Sequence, residues 1–335
     1  MKFLIGRLVG LVSVLFGITL VTFVTLHVFP ADPAALLAGP GSSAEQLEAI
    51  RHDLGLDRPL PLQYLQYLQD LVTGNLGRSL QTGQPVVDDL GVRLPATLEL
   101  AIVSMFAYVV VSIPLGVVAA ATRGRWPDVL VRLVSVAGLA VPAFWLGFLL
   151  QLFLYRDLGI FSQPVGRLAP DITPPPFVTG FYLVDSLLAG QLLAFKSALL
   201  QLAMPVTVLV VSRIGVGVKL TRASVLDVIG SDFVRTARAK GLSESVVLYR
   251  HVLRNALLPV ITAMGVQFGY LIGGTLVVEI VFAWPGIGQY AIGSITSLDF
   301  PAIMGVTVVV AILFVLTNLV VDVLSFYVNP LLRRS

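Results

Sequence analysis

The side chains of this sequence whose type and spacing suggest a task are cations. Eight of its 22 Lys and Arg residues crowd into positions 213–258: Arg213, Lys219, Arg222, Arg235, Arg238, Lys240, Arg250 and Arg254. Their chemistry is charge-assisted hydrogen bonding to another surface, not bond making. Groups that make bonds do not form a pattern. No G-x-x-x-x-G-K-[ST] phosphate loop, H-E-x-x-H or G-x-S-x-G occurs, there is no cysteine, and His27, His52 and His251 lie too far apart to suggest a ligand cluster. The sequence therefore predicts a non-enzyme with no catalytic, cofactor or metal site of its own. A Lys or Arg at the centre of a spanning helix costs about 2.5–3.5 kcal/mol, so eight would cost roughly 20–28 kcal/mol. The stretch is expected outside the bilayer, between two apolar spans, on the cytoplasmic side that basic loops favour.

The stretch is also patterned. Ser231 is placed to N-cap a short helix from Asp232 to Lys240, with an acid in its first turn and bases in its last. Gly241 falls where a left-handed residue ends a helix. Ser243 is placed to cap a second helix, with Val246, Val247, Leu253 and Leu257 along one side and Pro259 opening the next span. Two readings fit these residues: an ordinary basic inner loop, or a helix–turn–helix knuckle that docks a soluble partner.

The rest of the chain must hold that knuckle in place, and it is mostly oil. Of 335 residues, 56% are hydrophobic and 12% charged, and the apolar residues run in blocks of about 20, the length that crosses a bilayer. The expected fold class is an all-α polytopic membrane protein with six transmembrane helices. Residues 1–29 supply the N-terminus and a first span, whose apolar run of about 22 residues exceeds a signal-peptide core and is read as uncleaved. Residues 30–96 form a helical segment on the outer face, with nine acids (counting Glu99 at its edge) against four arginines. Ser43-x-x-Gln46 there reads as a capping box, and a second helix is expected over 62–72, with Gly55 and Gly74 as stops. The core, 97–335, divides into spans at 97–122, 133–155, 197–218, 259–282 and 302–326, with the basic loop at 219–258. Pro114, Pro142 and Pro205 fall inside spans, where freed carbonyls are tolerated if neighbours or water satisfy them. Gly265, Gly269 and Gly273 recur every four residues as a packing seam. Glu279, near an outer span end, is expected to pair with an arginine, and Asn318 and Asp322 share a helical face. Fifteen cations fall on the inner side and seven on the outer, which puts both termini in the cytoplasm.

Particular wording then carries a resemblance. Arg235-Thr236-Ala237-Arg238-Ala239-Lys240-Gly241-Leu242, followed by His251, Arg254 and Asn255, resembles the cytoplasmic coupling motif of ABC-importer permeases in its oligopeptide/dipeptide (peptide/nickel) branch, B-type subunit. The general motif opens Glu-Ala-Ala where this chain has Arg235-Thr236-Ala237. Its later Ile-x-Leu-Pro falls on His251-Val252-Leu253-Arg254. The peptide branch departs in the same places. L-G-L-D-R-P at 54–59, Gln63-Tyr64, G-N-L-G-R-S at 74–79, R-L-P-A-T at 93–97, A-W-P-G-I-G-Q-Y at 283–290 and L-D-F-P at 298–301 are similar to the same branch. The resemblance runs from Pro30-Ala31-Asp32-Pro33 to Asn329-Pro330, where the last pair is more often Asp-Pro.

The resemblance implies an ABC type I importer permease fold with an extracytoplasmic insert between the first two spans. It also implies a transport subunit for di- or oligopeptides in a bacterial or archaeal cytoplasmic membrane. Partners would be a second homologous permease, two ATP-binding subunits that carry ATP and Mg, and an extracytoplasmic solute-binding protein, with no nucleic acid. Coupling to the ATPase would rest on Asp232, the run 235–242, His251, Arg254 and Asn255. Nickel or glutathione import by the same machinery stays open, as does, more remotely, a stand-alone secondary transporter, which would need ionisable residues inside its spans.

Overall fold

The computed structural model describes residues 2–28, 34, 38, 42–53 and 55–328. Pro30–Pro33, Leu54, Asn329-Pro330, Arg333 and Arg334 lie outside these residues, as do the side chains of Lys2, Arg7, His27 and Asp322. Helix dominates what is described. In chain order the helices are α1 (Lys2–Val28), α2 (Ala44–Asp53), α3 (Leu60–Val72), α4 (Val86–Ala121), α5 (Trp126–Ala140), and α6 (Ala143–Asp157, closing in a wide π turn). They continue with α7 (Tyr182–Leu188), α8 (Leu192–Val211), α9 (Ile214–Ile229), α10 (Asp232–Ala239), α11 (Glu244–Val281), α12 (Ile287–Thr296) and α13 (Phe300–Val328).

Among the described residues, α4, α8, α11 and α13 are each long and apolar enough to cross a membrane, and α1 contributes a shorter apolar stretch, Val12–Thr25. The α5–α6 pair passes the same test only when taken together, and it is bent by 102°. The single span expected at 133–155 is therefore broken. The cause is local: Val141 is extended (φ −81°, ψ 123°), as a residue before proline prefers, and Pro142 opens the next helix. The other prolines do not break their helices. Pro95 and Pro114 sit inside α4, Pro205 inside α8 and Pro259 inside α11. Pro259 was expected to open a span; instead α11 begins 15 residues earlier, at Glu244, and carries a π turn over Val247–Val252. At 38 residues α11 is about 57 Å long against a hydrocarbon core of about 30 Å, so it extends well past the membrane. The basic loop is correspondingly less of a loop: α8 ends at Val211 and α9 takes up the chain from Ile214.

The chain divides into two compact units, Met1–Leu94 with Gln289–Val315, and Pro95–Gly288 with Leu316–Ser335. In the first, the Ser43/Gln46 box closes reciprocally: Ser43 N donates to Gln46 Oε1 at 3.0 Å and Gln46 N to Ser43 Oγ at 3.2 Å. Gly55 and Gly74 adopt the left-handed conformation expected of helix stops (φ +65° and +77°). Asp299 accepts hydrogen bonds from Ser79 Oγ (2.5 Å) and Gln81 N (3.2 Å). Asp89 accepts them from Thr82 Oγ1 (2.6 Å) and Tyr290 OH (3.0 Å) and pairs with Arg93 at 2.9 Å. Wording that is scattered in the sequence, G-N-L-G-R-S and L-D-F-P, is thus neighbouring in the unit.

In the second unit the core is built from α4, α8 and α11, with Leu100, Tyr108, Leu202, Leu209, Leu271, Phe282 and Trp284 all buried. Trp284 Nε1 donates to Ala96 O at 2.9 Å. Glu279, expected to pair with an arginine, receives Thr97 Oγ1 and Gly288 N, both at 2.7 Å. The buried arginine pair of this region forms at Glu99, whose Oε2 lies 2.6 Å from Arg167 Nη2. The glycine seam is partly realised. A Cβ on Gly265 would stand 2.3 Å from Val321, whereas Gly273 faces open space.

Candidate functional site

The basic knuckle is anchored from below. Val234 and Ala237, three residues apart on α10, are 0% and 6% exposed. They join a cluster with Val117 and Ala120 of α4, Val225 of α9 and Val247, Val252 and Ala256 of α11. That spacing puts both on one face of the helix, and the anchor ties α10 to three long helices. The Ala237 methyl serves this internal packing. Ser231 occupies the N-cap position, but its hydroxyl turns back to Val228 O at 2.7 Å instead of capping α10. The C-terminus follows the sequence reading closely. Gly241 has φ +74°, its N–H reaches Arg238 O at 2.9 Å and Leu242 N–H reaches Ala237 O at 3.4 Å, the double closure of a Schellman motif.

The outward face is polar and open. Asp232, Arg235, Thr236, Ala239, Lys240, Gly241 and Leu242 are exposed, and Arg235 pairs with Asp232. Arg238 forks onto Glu244 at 2.8 and 3.2 Å, stapling α10 to the start of α11. His251 is half-buried and its carbonyl accepts Asn255 Nδ2 at 2.8 Å, while Arg254 and Asn255 are exposed. The structure thus gathers Asp232 and the run 235–242 on one projection. It sets His251, Arg254 and Asn255 on the helix that receives it.

Two residues of this region were not singled out by sequence reasoning. Asp128 is 1% exposed. It accepts Arg222 Nε and Nη2 at 2.8 and 3.0 Å and Gly124 N at 3.0 Å, and Arg132 Nε stands 3.4 Å away. Arg222 is therefore committed to a clamp between α9 and the first turn of α5. The signal available was an acid among the cations of a short inner loop. The second is Phe233, 43% exposed on the projecting helix, an aromatic left uncovered on a polar surface element.

Helices of membrane-spanning length and an apolar-anchored basic projection define a multi-pass membrane component of transport type. The chain belongs to the family described as binding-protein-dependent transport system inner membrane component, whose model matches residues 112–334; the companion N-terminal model of that system matches residues 1–101. It is 43% identical over 326 residues, 97% of this chain and 96% of the other, to a probable D,D-dipeptide transport system permease protein, DdpB, of Escherichia coli K12. It is 39% identical over 333 residues, 99% of both chains, to the glutathione transport system permease protein GsiC of Escherichia coli O6:H1. The dipeptide transport system permease protein DppB of Alkalihalophilus pseudofirmus is 37% identical over 98% of both. Among solved structures, the inward-facing MetNI methionine ABC transporter contains a chain of the same fold. The TM-score is 0.52 at 19% identity, over 71% of this chain and 94% of that one. The resemblance read from the sequence is borne out. The chain is a multi-pass inner-membrane transport subunit, not an enzyme.

Proposed function

We propose that this chain is the permease subunit of an ATP-driven importer of short peptides, and that α10 with Gly241 is its coupling site. The observation that carries the reading is the two-sidedness of α10: Val234 and Ala237 are locked into the cluster under the knuckle, while Asp232, Arg235, Lys240 and Gly241 face outward. A helix gripped by a soluble motor on one side and packed on three long helices on the other transmits force by rigid contact. The motor would be a pair of ATP-binding subunits holding ATP and Mg. A second homologous permease and an extracytoplasmic binding protein would complete the assembly, in a bacterial or archaeal cytoplasmic membrane. The dipeptide permeases among its relatives support peptides as cargo; the glutathione permeases support a second reading, in which the same machinery carries that tripeptide.

The test is Gly241→Asp. A Cβ there meets nothing within 4 Å, so the chain itself has room, and the left-handed backbone costs about 1–2 kcal/mol. Insertion and expression should persist while ATP-dependent uptake in proteoliposomes falls by about tenfold or more, the equivalent of 1.4 kcal/mol of lost contact with the motor. Normal uptake by the variant would remove the coupling assignment.

A further inference from the structure

Three pieces of wording that the coupling site does not use meet around one cavity in the first unit. L-G-L-D-R-P contributes Gly55, Leu56 and Arg58, G-N-L-G-R-S contributes Asn75, Leu76 and Gly77, and L-D-F-P contributes Pro301. The cavity has a volume of about 250 Å³. Its walls are fixed. Gln63 Nε2 donates to both Leu56 O (3.1 Å) and Arg58 O (2.8 Å), and a Cβ on Gly77 would stand 3.3 Å from Pro301. Phe23, Leu71 and Met304 supply an apolar lining.

The polar groups on this lining are short of partners. Arg58 is at the exposed rim and makes no ion pair among the described residues. Asp70 is half-buried, and its carboxylate meets the Gln66 side-chain amide at only 3.4 and 3.5 Å. The Tyr67 hydroxyl is shut off from solvent and has no hydrogen-bond partner among the described residues. Burial first, and then the neighbouring Tyr64, push its pKa up to about 12, so it stays a neutral donor. The buried, unmet Tyr67 donor is costly to leave without a partner, and a cation and an anion stand around the same apolar-lined space. They match a ligand that carries both charges.

We propose that this cavity binds a small zwitterion, its anionic end at Arg58 and Tyr67 and its ammonium at Asp70. Two sources offer that chemistry: the termini of a free short peptide, and the headgroup of phosphatidylethanolamine. The site stands apart from the coupling reading, since neither ATP nor transport enters the argument.

The experiment uses the purified complex in nanodiscs of phosphatidylglycerol alone, without nucleotide. Equilibrium dialysis compares radiolabelled glycyl-leucine with its N-acetylated, C-amidated form. Glycyl-leucine is expected to bind, the blocked form at least about tenfold more weakly, and Arg58→Gln and Asp70→Asn each to weaken glycyl-leucine by a similar factor. A second arm places the complex in phosphatidylethanolamine and counts retained lipid by native mass spectrometry. If the dipeptide does not bind but this lipid is retained by the wild type and lost from both variants, the zwitterion site stands with a lipid occupant. The proposal is overturned if neither probe binds, if the blocked peptide binds as well as the free one, or if both variants bind like the wild type. The blocked-peptide comparison needs no mutation, so a folding defect cannot imitate it. ATP-driven uptake, measured separately, reports on the transport reading alone.

Discussion

Asp128 is the residue on which the inner end of the second unit turns. It is almost fully buried, forked by Arg222 and capped by Gly124 N–H. Removing one partner of such a pair strands the other charge, at a cost of about 3–5 kcal/mol, whereas replacing both by apolar groups is often close to neutral. Arg222 is 22% exposed, which places the expected loss at the low end, about 3 kcal/mol for Asp128→Ala. The double variant with Arg222→Met should recover most of it, and thermal unfolding of the purified chain measures both. With Arg222→Met also measured alone, a double-variant loss equal to the sum of the two single losses would mean that the clamp carries no pairwise energy. The clamp also shows where sequence reading stops. Its partners are 94 residues apart, and those of Glu99–Arg167 are 68 apart; nothing local announces either pair. The Ser43/Gln46 box and Gly241 were legible because their partners sit within five residues along the chain.

At the scale of elements, α10 separates two functions that a variant at Gly241 would merge. Val234 contributes nothing to the outward face, only to the anchor beneath it. Val234→Ala removes two buried carbons and opens a small void, about 2 kcal/mol by transfer and cavity effects together. The expected outcome is a complex that still binds its ATPases yet moves less solute per ATP hydrolysed. An unchanged ratio of uptake to hydrolysis would show that force does not pass through this cluster. The loop before α7 is a second element with its own test. Burial raises the Asp185 pKa, but hydrogen bonds from Thr179 Oγ1 and from the amides of Thr179, Val178 and Gly180 outweigh that, and the net shift is downward. A lowered pKa in the folded state means that the carboxylate's contribution is complete above the ordinary aspartate value of about 3.9 and is lost as pH falls through the lower folded value. Hydrogen-exchange protection of the Thr179 and Gly180 amides should therefore fall on acidification below about pH 4 and be pH-independent in Asp185→Asn. Element ends were harder to foresee than element types. Among the described residues four prolines lie in helix interiors, beyond the first turn, and only Pro142 coincides with a break, because a proline in a span stops the helix only where the residue before it also leaves the helical region.

At the scale of the whole chain, the bent α5–α6 pair decides the topology. If the pair is a re-entrant loop, residues 158–191 return to the side on which the 122–125 turn lies; if it is a broken span, they reach the opposite side. Contacts within the second unit favour the span. The turn at 122–125 follows the end of α4 at Ala121, and α5 begins directly after it. Beyond α6, Arg167 is bonded to Glu99, 22 residues back along α4, a distance of about 33 Å at 1.5 Å per residue. That matches the hydrocarbon thickness of about 30 Å, as a pair that crosses the membrane would give. The charges agree. Arg123 and Arg125 lie in the turn, as basic residues do on the inner side, while Arg167 is neutralised by Glu99. Six crossings with both termini in the cytoplasm is the arrangement expected from the sequence, and labelling tests it. The sequence contains no cysteine, so single introduced cysteines give an unambiguous readout. A membrane-impermeant maleimide should label Gln84→Cys and Thr173→Cys in intact cells, and Ser245→Cys only after permeabilisation. Protection of Thr173→Cys until permeabilisation would make the pair re-entrant and reverse the sidedness of everything after it, including the knuckle. The knuckle can meet a cytoplasmic motor only if Thr173 lies outside and Ser245 inside.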